Sequence, residues 1–160
     1  MAALSPGNAL PALSLTDARG GAAAPPAGEI LYGFFKTTCP TCELAWPFFD
    51  RIARVARGGK LTVVAVSQDE PAETDRFNRR LGVELPTVYD PAPCSASEAL
   101  GLETVPTFVR VGADGTVRGT LLGFQKQKMQ ELAAEAAALA GKPATDLFLP
   151  GEVVPLIKPG

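Results

Sequence analysis

A chain of 160 residues holds one domain's worth of material, enough to bury roughly two-thirds of its unfolded surface around a single core. Its 15 Lys and Arg against 17 Asp and Glu give a net charge of −2, so no basic field exists to hold a polyanion, and nucleic acid is excluded as a partner class. Histidine is absent, which removes Ser-His-Asp and Cys-His nucleophiles and most zinc sites; three cysteines are too few and too odd in number for a stapled scaffold, and become candidates for chemistry.

In chain order, Met1 to Gly7 lack the basic start and apolar stretch of a secretory signal. No apolar run approaches the ~18 residues of a membrane-spanning helix, the longest being Ile30 to Phe35 with Gly33 inside it. A soluble, cytoplasmic monomer is expected. The Ala-, Pro- and Gly-rich arm over 1–28 contains one alternating piece, Ala12 to Thr16, before the turn Asp17-Ala18-Arg19-Gly20-Gly21, and reads as an N-terminal hairpin or loose arm. Ile30 to Phe35 and Leu61 to Val66 are short apolar runs without clean alternation, as expected for strands buried on both faces of a partly parallel sheet.

Between them a helix is predicted from near Cys39 to Ala56, with Leu44, Phe48, Ile52 and Val55 on its apolar face, a kink at Pro47, and Gly58-Gly59 after its end. A second helix is predicted over Glu73 to Leu81, stopped by Gly82, and Ser95 or Ser97 is expected to cap a short helical turn through Leu100. Thr107 to Val111 and Thr116 to Leu121 flank Gly112-Ala113-Asp114-Gly115, a hairpin signal, because Asp-Gly tolerates the positive φ such turns need. A last helix spans Gln125 to Ala140, with Met129, Leu132, Ala136 and Leu139 at helical spacing. This order implies an α/β domain over 1–142, a central mixed sheet with helices on both faces, followed by an extended tail over 143–160 lying on the domain.

The chemistry sits in Cys39-Pro40-Thr41-Cys42. The motif follows a buried strand and opens a helix, so Cys39 meets unpaired backbone N–H groups and the positive end of the helix dipole, which favour a thiolate. Pro40 suits the first helical turn, and the two-residue spacer returns the second sulfur to disulfide range of the first. A structural zinc site is disfavoured: it needs about four ligands, and only Cys94 and an awkward carboxylate are left to complete it. No metal site and no cofactor is expected.

On these residues the chain resembles the thioredoxin superfamily, and within it the TlpA/ResA-like thiol-disulfide oxidoreductases of the redoxin neighbourhood that border the peroxiredoxins. The resemblance is carried by Phe34-Phe35-Lys36-Thr37-Thr38-Cys39-Pro40-Thr41-Cys42, by Pro47, and by Val105-Pro106-Thr107-Phe108 leading into the hairpin; it covers about residues 5 to 140 and leaves out the tail. It implies a thioredoxin-like fold, Cys39 and Cys42 as catalytic residues, and support from Thr38, Pro40 and Thr41. It also implies a cis Pro106 beside the cysteines, with Val105 pairing its backbone to an extended substrate segment. Leu85-Pro86-Thr87-Val88 imitates that pattern without the following hairpin, so Pro106 is preferred.

Two departures from the family stand out. The acidic residue many thioredoxins bury six places before the first cysteine is Gly33 here, and their tryptophan just before that cysteine is Thr38. Lys36 and Glu43 are the nearest ionisable substitutes, the first to stabilise a thiolate and the second to accept a proton, set against the plainer reading of both as solvated surface charges. Cys94 is either an extra resolving thiol or a small loop residue, and the loop reading is preferred; Trp46, Phe48 and Phe49 read as core aromatics.

The expected activity is thiol-disulfide exchange with a disulfide-containing protein substrate. An upstream dithiol must restore the reduced pair, since no flavin or nicotinamide motif is present. A peroxiredoxin-like thiol peroxidase is the first alternative, disfavoured because such enzymes carry Thr or Ser three places before the attacking cysteine and Pro four places earlier, where this chain has Lys36 and Tyr32. A redox-inactive binding module or a metallochaperone is the alternative from another class.

Overall fold

The segment Glu29–Phe35 forms strand β1, and every residue after Glu29 in it is buried. The computed structural model describes residues 4–160, so the first three residues of the expected arm lie outside the described residues. After β1 come α1 (Pro40–Ala56), β2 (Leu61–Ser67), α2 (Pro71–Leu81), β3 (Thr87–Tyr89), α3 (Ser95–Ala99), β4 (Thr107–Val111), β5 (Val117–Leu122), β6 (Phe124–Gln125), α4 (Lys126–Leu139) and β7 (Ile157–Lys158). The main sheet runs β3-β2-β1-β4-β5, with β1 parallel to β2 and antiparallel to β4. It is the mixed sheet expected from the element order.

The central strands lack polar alternation because both faces are covered, yet period two still sorts their side chains. Leu31 and Phe35 of β1 join Val63, Ala65 and Phe108 against α1, α2 and α4. Ile30, Tyr32 and Phe34 join Val64, Val66, Val109 and Val111 on the other face, which α3 and the N-terminal arm cover through Ala96, Leu4 and Leu15. Buried Arg110 of β4 ties the two ends of the chain's core together, pairing with Glu29 at 2.7 Å and Glu135 of α4 at 2.8 Å.

Several expectations need correction. In α1 the stripe against the sheet is Cys42, Ala45, Trp46, Phe49, Ile52 and Ala56, while Leu44 and Val55 are only partly buried. The helix is wedged between the sheet on one side and α4 and the tail on another, so its buried arc is wider than a single-sided pattern assumes. The helix includes Pro47 within its length, inside the span expected from the sequence. Neither Ser95 nor Ser97 caps α3; the carboxylate of Asp90 accepts the N–H groups of Ala96 at 3.0 Å and Ser97 at 2.8 Å. Among the described residues the arm forms no regular strand pair but isolated bridges, of Thr16 to Ala22 and Tyr89 and of Ala9 to Thr116, so the N-terminal hairpin is reduced to the Asp17 turn. Strand β3 was not anticipated from the sequence.

The tail is built into the domain. Leu147 is buried, Phe148 packs on Phe48 at 4.7 Å and Phe124 at 6.1 Å, and Arg51 grips Glu152 with two bonds of 2.6 and 2.7 Å. Further on, β7 pairs antiparallel with β6.

Gly33 in β1 has a packing reason. A Cβ at that position would stand 2.5 Å from the ring of Phe49, so the aromatic side chain fills the space any residue at 33 would require. Gly33→Asp is therefore expected to cost about 3 kcal/mol or more, combining overpacking with a buried unpaired carboxylate, in a urea unfolding curve of the reduced protein. A variant as stable as the parent would show that the Phe49 ring yields freely.

Candidate functional site

The loop from β1 to α1 is pinned on both sides before the first cysteine is reached. The Gln68 N–H donates to the Phe35 carbonyl at 3.0 Å, the Thr37 N–H donates to Asp69 Oδ2 at 2.7 Å, and the Cys39 N–H donates to the Lys36 carbonyl at 3.3 Å. Asp69, just past β2, was not singled out in the sequence; nothing in Ser67-Gln68-Asp69 marks it except its place after a strand that pairs with β1.

Cys39 is the N-cap of α1, extended at φ −95° and ψ 115°, with Pro40 in the first helical turn where no N–H is missed. Its sulfur accepts the Cys42 N–H at 3.1 Å, taking the position a serine or aspartate oxygen fills in ordinary caps. The same sulfur donates its proton to the carbonyl of Val105 at 3.4 Å. That carbonyl belongs to the Val105–Pro106 peptide, which is cis; Leu85–Pro86 is trans, and the second cis bond is Ala92–Pro93. The Pro106 carbonyl in turn accepts the Gly123 N–H at 2.8 Å, which fastens the β4 entrance to the start of β6.

The two thiols are unalike. Cys39 is half-buried, whereas Cys42 is fully buried among Trp46, Phe49 and Phe108. Burial, reinforced by the hydrogen bond between the two cysteine side chains, pushes the Cys42 thiol far above the ordinary thiol range, so it holds its proton at neutral pH. The pair therefore presents one reachable sulfur and one shielded one.

The remaining residues singled out in the sequence divide into two groups. Thr38 and Pro40 lie exposed beside Cys39, while Thr41 is buried and its hydroxyl donates to the Pro159 carbonyl at 2.5 Å, a contact with the tail that no sequence signal announced. Glu43 is exposed and its carboxylate is held by Arg80 of α2 at 2.6 Å. Lys36 is exposed, and its ammonium acts on Cys94, whose thiol is nonetheless raised by burial and by Asp90, which oppose it. Cys94 itself stands left-handed, at φ 59°, ahead of α3.

The redoxin family model matches residues 5–138. Thiol-disulfide oxidoreductase ResA of Halalkalibacterium halodurans is 26% identical over 103 residues, which cover 64% of this chain and 58% of that protein's length. Among solved structures, a candidate thiol:disulfide interchange protein DsbE from Chlorobium tepidum superimposes with a TM-score of 0.73 at 19% identity, covering 86% of this chain and 99% of that one. StoA from Bacillus subtilis gives 0.61 at 17% identity, covering 75% and 94%. At such identities the structures establish the thioredoxin-like fold. Because the sequence match runs from the arm, through the sheet and both cysteines, to the penultimate residue of α4, the chain belongs to the redoxin family.

Proposed function

We propose that this protein is a thiol-disulfide oxidoreductase in which Cys39 attacks and Cys42 resolves. The observation that carries this reading is the asymmetry of the pair: one sulfur sits at the tip of α1, taking a helix N–H at 3.1 Å, and the other lies buried in the same first turn. The Cys39 thiolate attacks one sulfur of a partner disulfide, forming a mixed disulfide and expelling the first partner thiolate. Cys42 then gives up its proton and attacks the Cys39 sulfur. An intramolecular disulfide forms, the second partner thiolate leaves, and the partner has gained the two electrons the protein has lost. A dithiol donor returns them.

No carboxylate is available to Cys42 in the buried interior, since Phe49 fills the space beside Gly33 and Glu43 is paired with Arg80 in solvent. The departing partner thiolate is thus the natural acceptor of the Cys42 proton. It is a stronger base than a carboxylate and is generated at the site as the proton moves.

Replacement of one sulfur at a time tests the assignment. Cys39→Ser should lower disulfide reduction, followed with oxidised glutathione or insulin and a dithiol donor, by at least about a thousandfold, the loss expected when the only nucleophile is removed. Cys42→Ser should instead accumulate a mixed disulfide at Cys39 that mass spectrometry detects and dithiothreitol releases. Retention of activity in Cys39→Ser, or rapid peroxide consumption that outpaces disulfide turnover, overturns the reading.

The raised Cys42 thiol also sets a pH dependence. The folded protein keeps this proton after the unfolded chain has lost it, so stability is fully present below the ordinary thiol range near pH 8.5 and falls as pH rises above it, by up to about 1.4 kcal/mol per pH unit. Urea unfolding of the reduced protein from pH 7 to 10 should show this decline, and Cys42→Ala should lack that part of it. Parallel curves for the two proteins would mean that the burial of Cys42 does not hold its proton.

A further inference from the structure

The tail reaches the neighbours of Cys39 Sγ. After the anchors at Leu147, Phe148 and Glu152, the chain pairs β7 with β6 and the Leu156 carbonyl accepts the Lys126 N–H at 2.9 Å. Pro159 then takes the Thr41 hydroxyl, inside the CxxC turn itself. Gly160 lies so close to the Val105 carbonyl and the Thr104 hydroxyl that a Cβ on it would collide with both. The Val105 carbonyl is the group bonded to Cys39 Sγ. One stretch of tail therefore lines both the helix side and the cis-proline side of the reactive sulfur.

This placement matters because a mixed disulfide is a short link. Its geometry brings the partner's half-cystine Cα within roughly 7 Å of the Cys39 Cα, so residues flanking that half-cystine must lie along whatever borders the sulfur. A small disulfide brings no flanking chain and needs only Sγ. A polypeptide needs the ground that residues 156–160 hold.

From this, resting on the oxidoreductase reading above, we infer that residues 156–160 are a specificity-determining strap that admits small disulfides to Cys39 and hinders disulfides embedded in polypeptide until it is displaced. The strap is held by main-chain hydrogen bonds and the Thr41 hydroxyl, with almost no apolar burial: Leu156 is 77% and Ile157 is 68% exposed. Such a segment opens locally while the fold stays intact. Its upstream anchor does not open with it, since the Arg51 fork holds the Glu152 carboxyl down to about 2 and the ion pair persists at working pH. The strap is therefore a short flap on a fixed hinge, and it turns two apolar side chains outward where a docking polypeptide meets them first.

The test uses the full chain and the variant Lys158→Pro, which stands opposite Phe124 in a hydrogen-bonded pair of β6–β7 and whose ring removes the N–H that β6 receives there. Two ratios are read. The first is kcat/KM for oxidised insulin-like polypeptide over kcat/KM for hydroxyethyl disulfide. The second is the rate of Cys39 alkylation by polyethylene-glycol maleimide over that by iodoacetamide, measured in a Cys94→Ser background and requiring no turnover. Both ratios should rise about tenfold in Lys158→Pro, and Thr41→Val, which removes only the hydroxyl holding Pro159, should shift them in the same direction. Unchanged ratios in both variants, or polypeptide rates that fall while small-disulfide rates hold, overturn the strap. If no disulfide is turned over by any form while the alkylation ratio still rises, the oxidoreductase reading falls and the strap stands as a barrier to access.

Discussion

A hydrogen bond from the Cys42 amide to the Cys39 sulfur, 3.1 Å long, organises the site because it joins the start of a helix to its reactive group. Helix α1 needs an acceptor for its first N–H groups, and here the acceptor is a sulfur. The same geometry that begins the helix therefore fixes where Sγ points. That direction is shared with the Val105 carbonyl across the sheet edge, so the cap, the cis peptide and the reactive atom form one unit. The sheet makes this possible: β1 and β4 are adjacent and antiparallel, so the end of β1 that feeds the cap lies beside the entrance of β4 that carries Val105 and Pro106.

Around that unit the molecule separates rigidity from access. Beneath it, Trp46, Phe49 and Phe108 close the core over Cys42, with the rings of Trp46 and Phe35 tilted against each other at 4.2 Å. To one side, Asp69 clamps the loop before Cys39 through the Thr37 amide. To the other, the tail lies on Thr41, through the hydrogen bond to Pro159, and close to the Val105 carbonyl. The buried thiol is packed in aromatic rings, and the strap inferred above is held by hydrogen bonds, which exchange cheaply with water.

Much of the architecture was legible because two signals agree along the chain. Apolar runs of strand length alternate with helical spacing, and Gly or Pro marks the ends; Gly82 after α2 stands left-handed at φ 68°, and Gly115 closes the hairpin at φ 81°. What stayed hidden has a physical pattern. Strand β3 is three residues long, with a strand on one side and only the Thr16 bridge on the other, too short for periodicity to register. The cap of α3 comes from Asp90, upstream of the helix and beyond the intervening Pro91 and Pro93, whereas cap rules look for it at the first residue. Of the expected α1 stripe, Phe48 and Ile52 are buried, whereas Leu44 and Val55 are only partly so, because two surfaces, not one, bury that helix. At the site, the CxxC and Pro106 were readable as a local motif, but Asp69 and the Pro159 contact depend on partners 32 and 118 residues away, and no local signal reports a distance of that kind.

The replacement of a buried acid by packed hydrocarbon bears on how the site moves protons. An acid beside the shielded thiol would accept its proton internally; Gly33 instead admits the Phe49 ring, and the acidic side chain in the first turn of α1, Glu43, is drawn outward to Arg80. In the exchange proposed above, the dry surroundings that raise Cys42 would keep its proton in place until a partner thiolate is released beside it. On that proposal the base comes with the substrate, and the aromatic core fills the space that a buried carboxylate would occupy.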